Sequence, residues 1–146
     1  MKIELMNASH VAQVAEIEKI CFSDPWSENS IASELQNSLS LWLVAEENGV
    51  VQGYVGSQTV LDETDMMNIG VHPDHRRQGI GEALVDALVV ALADRGSRCL
   101  TLEVRASNIP AQSLYAKKGF AQIGKRPGYY RNPREDALIL RKEWEI

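Results

Sequence analysis

The chain has 146 residues, of which 45% are apolar, with 20 acidic and 15 basic side chains and a formal net charge of −5. This length suits one domain with a single core, and the two cysteines rule out a disulfide scaffold and a four-thiolate zinc site. The acidic balance argues against duplex nucleic acid as the main partner, because binding to phosphates needs a surplus of Lys and Arg.

The charge is unevenly divided along the chain. Residues 1–75 carry two bases and twelve acids, for −10, and residues 76–146 carry thirteen bases and eight acids, for +5. Such a division is typical of oppositely charged partners or of a solvated surface with uneven sign. The first residues lack the basic and apolar regions of a signal peptide, and no apolar stretch could span a membrane. We expect a single domain over 1–146, soluble, cytoplasmic and monomeric.

Residue patterns in the first half of the chain predict four strands and two helices. Ser9 is a candidate cap for a helix that ends near Cys21, and Ser27 caps a second short helix through Leu35. Asn48-Gly49 is a strong signal for a two-residue hairpin turn. Apolar patterning places strands at residues 2–6, 39–46, 50–60 and 65–71.

In the second half of the chain, the spacing of the apolar residues changes. From Gly79 to Arg95 the apolar residues follow a helical spacing, and Gly96 ends this long amphipathic helix. The remaining predicted elements are a strand at 98–104, a short helix at 110–118, and strands at 120–124 and 136–144. The predicted order is β-α-α-β-β-β-α-β-α-β-β, an α/β fold in which helices pack on a mixed sheet.

The segment that opens the long helix carries the first chemical signal, Arg76-Arg77-Gln78-Gly79-Ile80-Gly81. A helix N-terminus presents unpaired N–H groups and a partial positive charge. Glycines there let a phosphate approach, so the loop suits a pyrophosphate. It lacks the Gly-Lys-Ser/Thr of a Walker loop and the glycine spacing of a dinucleotide fingerprint. From the residues alone, a plain capping turn remains open.

This Arg-x-x-Gly-x-Gly pattern resembles the acyl-coenzyme A motif of the GNAT superfamily of N-acetyltransferases. The resemblance continues in Cys21–Ser27, Leu102–Asn108, Leu114-Tyr115-x-x-x-Gly119-Phe120 and Tyr129-Tyr130-x-x-x-x-Glu135-Asp136-Ala137. These segments are similar to the protein N-terminal acetyltransferase branch, in particular to bacterial enzymes that acetylate the N-terminal alanine of a small-subunit ribosomal protein. The resemblance implies the GNAT fold, acetyl-coenzyme A as co-substrate and the N-terminal peptide of a ribosomal protein as acceptor. We expect no metal, because three histidines leave few ligands for one. The acidic charge and the lack of a long apolar stretch likewise predict no direct nucleic-acid partner and no membrane.

The resemblance places acetyl-coenzyme A between two splayed strands that end near Val71 and Val104. It implies that the backbone of Ile69, Gly70 and Val71 pairs with the pantetheine arm like an added strand, and that an N–H there polarises the thioester carbonyl. Asn108 is implied to contact the cofactor arm, with a loop or cap role as its alternative. Amides of a further group are implied to face the pyrophosphate: Arg77, Gln78, Gly79, Ile80, Gly81 and Glu82.

Acetyl transfer to an amine needs a proton acceptor, and the departing thiolate benefits from a proton donor. Glu103 alternates with the apolar Leu102 and Val104, and the residues alone favour a salt bridge to a base such as Arg105. The resemblance instead implies that Glu103 is the general base. It likewise matches Tyr115 to the family's tyrosine acid, with plain ring packing as the alternative.

The resemblance builds the acceptor site from the loop between the first two helices and from the last hairpin turn. Trp26 lies in the former, where plugging the core is an equal alternative. Tyr129 and Tyr130 lie in the latter, and on a strand at least one of two neighbours is exposed. Alternative functions are acetylation of a small amine or of a lysine side chain, and non-catalytic sensing of acyl-coenzyme A. The pairing of Glu103 with Tyr115 argues against a sensor, which needs neither.

Overall fold

The computed structural model describes residues 1–145, in which a seven-stranded mixed sheet is flanked by four α-helices. The strands are β1 (Lys2–Leu5), β2 (Ser40–Glu47), β3 (Val50–Val60), β4 (Glu63–Val71), β5 (Cys99–Arg105), β6 (Ala121–Tyr130) and β7 (Glu135–Glu143). The helices are α1 (Val11–Cys21), α2 (Glu28–Glu34), α3 (Ile80–Asp94) and α4 (Ile109–Lys117). The predicted order of helices and strands is confirmed. Over residues 1–145, no helix has the length and apolar character needed to cross a membrane.

The sheet order is β1-β2-β3-β4-β5-β7-β6, and every neighbouring pair is antiparallel except β4 and β5. These two parallel strands pair only at their beginnings, from Glu63 opposite Cys99 to Asp65 opposite Thr101. Beyond Asp65 the strands separate, and the register of β4 with β3 shifts so that Met67 bulges. The parallel pair therefore opens a gap in the middle of the sheet.

Both faces of the central strands are covered, as expected where helices pack on each side of a sheet. On one face, α3 packs Leu84 and Leu88 against β2, β3 and β5. On the other face, α1 and α2 pack against Trp42 and Tyr54. Gly56 makes room for this second layer, because a Cβ there would lie 2.3 Å from the Trp42 indole. The core thus fixes the sheet around the gap from both sides.

Two local predictions are corrected by the structure. Ser9 does not cap the first helix: a 3-10 turn at Ala8–His10 precedes α1, and Asn7 accepts the Ser9 N–H at 2.9 Å. The predicted strand at 120–124 is also too short, because β6 runs to Tyr130. The turn-forming residues Pro127 and Gly128 are absorbed by a register shift between Arg126 and Tyr130, and an edge strand tolerates proline.

Candidate active site

The gap between β4 and β5 widens into a cavity of about 830 Å³. Its walls come from the α1–α2 loop, the separated parts of β4 and β5, the start of α4 and the β6–β7 hairpin. Residues predicted for catalysis, cofactor contact and acceptor binding meet here: Trp26, Ile69, Glu103, Asn108, Tyr115, Tyr129 and Tyr130. One cavity therefore gathers side chains that lie as far apart in sequence as the α1–α2 loop and the β6–β7 hairpin.

Beyond Asp65 the edge of β4 faces this gap without pairing to β5. Side chains contact two of its backbone groups: the Ile69 N–H donates to Asn68 Oδ1 at 3.2 Å, and the Val71 carbonyl accepts from Arg76 Nε at 3.3 Å. The N–H of His72 donates to the Gln52 carbonyl at 2.9 Å, and antiparallel pairs alternate between bonded and non-bonded partners. The backbone of Gly70 consequently faces β3, whereas Ile69 and Val71 turn their N–H and C=O groups toward the gap. This orientation suits the predicted pairing of Ile69 and Val71 with an extended ligand, while their side chains also pack on the core.

Gly70 has a packing role that the sequence does not indicate. A Cβ at this position would lie 2.8 Å from the Tyr54 hydroxyl oxygen and 2.9 Å from a ring carbon. The lack of a side chain at Gly70 therefore allows the Tyr54 ring to approach β4 closely. A contact between Gly70 and the cofactor remains a prediction.

The loop before α3 has the form of an anion site. Arg77 (φ 63°) and Gly79 (φ 78°) adopt left-handed conformations that turn the chain into the helix, and no side chain caps its first amides. A Cβ on Gly79 would meet nothing within 4 Å, and one on Gly81 only Val71 at 3.8 Å. The space in front of these amides is open, so the residues fit a pyrophosphate group.

This loop, which runs from Arg77 to Glu82, lies outside the 830 Å³ cavity, next to the end of β4. Within it the Ile80 side chain is buried in the core, so only its amide can face a ligand. The carboxylate of Glu82 lies 2.7 Å from Lys118 Nζ and 3.2 Å from Lys117 Nζ. Hydrogen bonds from these two lysines hold the pKa of Glu82 below its usual range.

Glu103 is positioned by the alternation of β5, whose apolar residues face the core while Glu103 lies at the cavity with 26% of its side chain exposed. Its Oε1 is 3.3 Å from Nε of Arg126 on β6. The expected salt bridge exists, but its partner is not Arg105, which instead binds Glu135 at 3.2 Å. The predicted salt bridge is therefore present, with Arg126 as its partner. The carboxylate also borders the cavity, and its role as general base remains a prediction.

The packing role of Tyr115 is confirmed, whereas its role as the acid remains a prediction. Its ring packs edge-on against Phe120 at 5.3 Å, and only 5% of the residue is exposed. Tyr115 borders the cavity, and its hydroxyl lies 3.9 Å from Sδ of Met66, which is a weak acceptor. Burial raises the pKa of Tyr115 to about 12. The hydroxyl therefore retains its proton at neutral pH.

Asn108 caps α4, because its Oδ1 accepts the N–H of Ala111 at 3.2 Å. The cap reading is confirmed. The residue also borders the cavity, so its predicted contact with the cofactor arm remains a prediction.

Aromatic residues form two facing walls. Trp26 packs edge-on against Trp42 at 5.4 Å and also borders the cavity. On the hairpin side, Tyr129 is 51% exposed, as predicted for one of the pair. The half-buried Tyr130 lies under the Arg105 guanidinium, 4.5 Å from the ring centroid, and burial raises its pKa to about 12.

Arg105 fixes the hairpin that carries the tyrosines. Its guanidinium donates to the carbonyls of Pro133 at 2.9 Å and Arg131 at 3.1 Å, and to Glu135 at 3.2 Å. Glu135 also accepts the Ser107 N–H. These bonds tie the β6–β7 turn to the end of β5. The sequence predicted Arg105 only as a salt-bridge partner of Glu103, and its role in fixing the hairpin was not predicted.

Two further residues beside the site, Glu18 and Asn68, were not predicted from the sequence. Glu18 is fully buried on α1, where it accepts hydrogen bonds from the Trp26 N–H at 2.8 Å and from the Asn68 amide at 2.6 Å. Its position in the apolar stripe of the first predicted helix was a usable signal, because an unpaired acid is rarely fully buried. Asn68 carried no such signal.

A cluster with metal-ligand composition lies away from the cavity, at Glu4, His10 and Glu46. Nε2 of His10 is 3.3 Å from Glu4 and 3.4 Å from Glu46. Its Nδ1 accepts the Asn7 N–H at 3.0 Å, which places the imidazole proton on Nε2 between the carboxylates. A metal-bound histidine usually donates from its other nitrogen, so hydrogen bonding accounts for this cluster better than metal binding.

Comparison with known proteins identifies the fold and the family. The profile of the acetyltransferase (GNAT) family matches residues 11–120. The chain is 39% identical over 140 residues to ribosomal protein bS18-alanine N-acetyltransferase of Escherichia coli (strain K12), covering 94% of each protein. It is 40% identical over 136 residues to a Bacillus subtilis (strain 168) protein named provisionally as the same enzyme, covering 92% of this chain and 90% of that protein.

The crystal structure of the ribosomal-protein-S18-alanine N-acetyltransferase from Escherichia coli superposes on this chain with a TM-score of 0.91 at 37% identity. The superposition covers 99% of this chain and 94% of the other. The resemblance inferred from the motifs is confirmed by sequence and by fold. The chain belongs to the acetyltransferase (GNAT) family.

Proposed function

We propose that this chain, acting as a single domain, transfers the acetyl group of acetyl-coenzyme A to the N-terminal α-amino group of a protein. The N-terminal alanine of ribosomal protein bS18 is the proposed acceptor, because the Escherichia coli relative, 39% identical over 140 residues, is named for that reaction. The observation that carries the proposal is the meeting of Glu103 and Tyr115 in one cavity, beside the part of β4 that does not pair with β5. A carboxylate and a protonated phenol there provide a proton acceptor and a proton donor.

Residues around the gap would hold acetyl-coenzyme A, which supplies the activated acetyl group as a thioester. The gap-facing backbone of Ile69 and Val71 suits the pantetheine arm, and Asn108 borders the same space. The amides from Arg77 to Glu82 suit the pyrophosphate through the helix dipole and open glycines. These contacts orient the thioester toward the cavity.

The proton transfers are assigned to two side chains. An α-amino group titrates near about 7.7–8.0, so its deprotonation at pH 7 costs roughly 1 kcal/mol. Glu103 accepts the proton that the amine loses as its nitrogen bonds to the acetyl carbon. The carbon–sulfur bond breaks, and Tyr115 donates its proton to the departing sulfur. The cysteines take no part, because the acetyl group passes directly between the two substrates.

The acceptor peptide is proposed to lie between Trp26 and the hairpin tyrosines, Tyr129 and Tyr130. Tyr129→Phe and Tyr130→Phe are each expected to raise the KM of the peptide by about 2–10-fold, which is the contribution of one hydrogen bond. The KM of acetyl-coenzyme A should stay unchanged, because neither hydroxyl lies at the phosphate loop. Steady-state kinetics with each substrate varied in turn would test this, and an unchanged peptide KM in both variants would contradict the assignment.

The function itself is tested by offering the enzyme competing amines. Short peptides with a free N-terminal alanine, the same peptides with a blocked N-terminus, and spermidine are incubated with acetyl-coenzyme A, and products are identified by mass spectrometry. Incorporation only into free N-termini supports the proposal. Acetylation of spermidine or of lysine side chains in blocked peptides would favour a small-amine or lysine acetyltransferase. Binding of acetyl-coenzyme A without transfer to any amine would favour a sensor.

A further inference from the structure

Glu18 is a buried carboxylate for which the proposed reaction has no use. The residue is fully buried on α1, and it does not border the cavity. Its Oε1 accepts the backbone N–H of Trp26 at 2.8 Å. Its Oε2 accepts from the Asn68 side-chain amide at 2.6 Å and from the Tyr54 hydroxyl. One carboxylate thus binds the α1–α2 loop, β4 and β3.

Two of the three branches of this network lead to different proposed substrate sites. Trp26 forms the wall that is proposed to contact the acceptor peptide. Asn68 follows the Met67 bulge, and its Oδ1 accepts the N–H of Ile69 at 3.2 Å. Ile69 carries backbone groups that face the gap proposed to hold the pantetheine arm. Glu18 therefore lies between the acceptor wall and the cofactor edge.

The chemistry of the network calls for a carboxylate. Its three partners are all donors, and an ionised carboxylate offers only acceptors, with room for about four hydrogen bonds. An amide would turn its NH₂ group toward at least one of these donors. Burial raises the pKa of Glu18, although the hydrogen bonds from Tyr54, Trp26 and Asn68 oppose this shift. A buried acid is costly compared with an apolar residue of similar volume, so packing alone does not explain it.

We propose that Glu18 is a positioning residue, which sets the distance between the acceptor wall at Trp26 and the cofactor edge at Ile69. The inference rests on the proposed function, since it needs both substrates to bind in this cavity. Misplacement of reacting groups by about 1 Å can cost about 10²-fold in rate. Loss of this carboxylate should consequently impair turnover even though the residue touches neither substrate.

Glu18→Gln is compared with Glu34→Gln, which is a matched control. Glu34 is also buried, at 8% exposure, and accepts hydrogen bonds from Ser40, Trp42 and Gln58. These three partners do not border the cavity, whereas Trp26 and Asn68 of the Glu18 network do. Trp42 reaches the acceptor wall only by packing on the Trp26 ring. We expect Glu18→Gln to lower kcat about tenfold and to raise the acceptor KM severalfold. Glu34→Gln should lower the thermal stability about as much as Glu18→Gln does. It should leave kcat and the acceptor KM within about twofold of their wild-type values.

Asn68→Ala separates the two branches and also serves if Glu18→Gln fails to fold. The half-buried Asn68 connects Glu18 to the cofactor edge at Ile69 and also borders the cavity. Its loss should change kcat and the KM of acetyl-coenzyme A more than the KM of the acceptor. Kinetics of Glu18→Gln that match those of Glu34→Gln, or wild-type kinetics in Asn68→Ala, would overturn the inference.

All variants are assayed with an alanine-terminated peptide and with spermidine, under conditions where circular dichroism shows that they are folded. A selective defect of Glu18→Gln with whichever amine the wild type acetylates supports the positioning role. If the wild-type enzyme acetylates spermidine but not the peptide, the proposed acceptor is wrong. Failure of the proposed function is therefore distinguishable from failure of the positioning role.

Discussion

Glu103→Gln is expected to lower kcat for peptide acetylation by about 10²–10³-fold at pH 7, with little change in the KM of acetyl-coenzyme A. The amide keeps the shape of the side chain at the cavity but cannot take up the proton of the attacking amine. The defect should shrink as the pH rises through the ordinary α-amino range of about 7.7–8.0, because the amine then loses its proton to solvent. Kinetics from pH 6 to 9.5 would measure both effects.

Arg126→Gln provides the control for this prediction, because Glu103→Gln also breaks the 3.3 Å ion pair between Glu103 and Arg126. The pair is partly exposed, and such pairs contribute about 0–1 kcal/mol to stability. Arg126→Gln removes the pair and leaves the carboxylate in place, so it should retain most of the activity. Equal losses in both variants would assign the effect to the ion pair, and wild-type turnover in Glu103→Gln would refute the role of base.

The order of elements could be predicted because each has a local signature. The helical period of α3 and the Asn48-Gly49 turn involve residues close in sequence, and both turn residues adopt positive φ angles (52° and 82°). Glu103 and Tyr115 were found only through the family motifs. Their meeting in one cavity depends on the separation of β4 from β5, which local sequence does not encode.

What the sequence missed depends on long-range contacts. Glu18 and Asn68 are 50 positions apart, and nothing in the local pattern of either residue specifies the other. Arg126 was not foreseen as the partner of Glu103, because the glycines and proline of β6 predicted that the strand ends early. Its extension to Tyr130 relies on pairing with β7 across a register shift. Tertiary pairing there overrides local propensity.

The two halves of the chain, which differ in net charge, meet at the cavity. The acidic half supplies one side, including Trp26 and Ile69, and the basic half supplies the other, including Glu103, Tyr115 and Tyr130. The boundary between the halves near residue 76 also marks the start of the loop that suits a pyrophosphate. The two halves thus meet where the proposed substrates would meet, although many of their charges are already paired on the surface.

Tyr115→Phe is expected to lower kcat on the order of 10²-fold while the KM values of both substrates change little. The phenylalanine ring can keep the edge-on contact with Phe120, so packing is retained. The lost hydroxyl forms no stronger bond within residues 1–145 than its 3.9 Å contact with Met66 Sδ. Thermal unfolding should therefore shift little, and the loss should reside in the departure of the thiolate.

The pKa of about 12 defines the pH dependence of this step. Burial disfavours the charged phenolate, so Tyr115 keeps its proton as the pH rises and loses it only near pH 12. The wild-type rate should consequently rise with pH through the α-amino range and then level off, without a fall caused by Tyr115 below about pH 10. Phe120→Leu is the control, because it loosens the packing of the Tyr115 ring and spares the hydroxyl. A kcat loss in Phe120→Leu as large as that in Tyr115→Phe, or an unchanged kcat in Tyr115→Phe, would leave the tyrosine with a packing role alone.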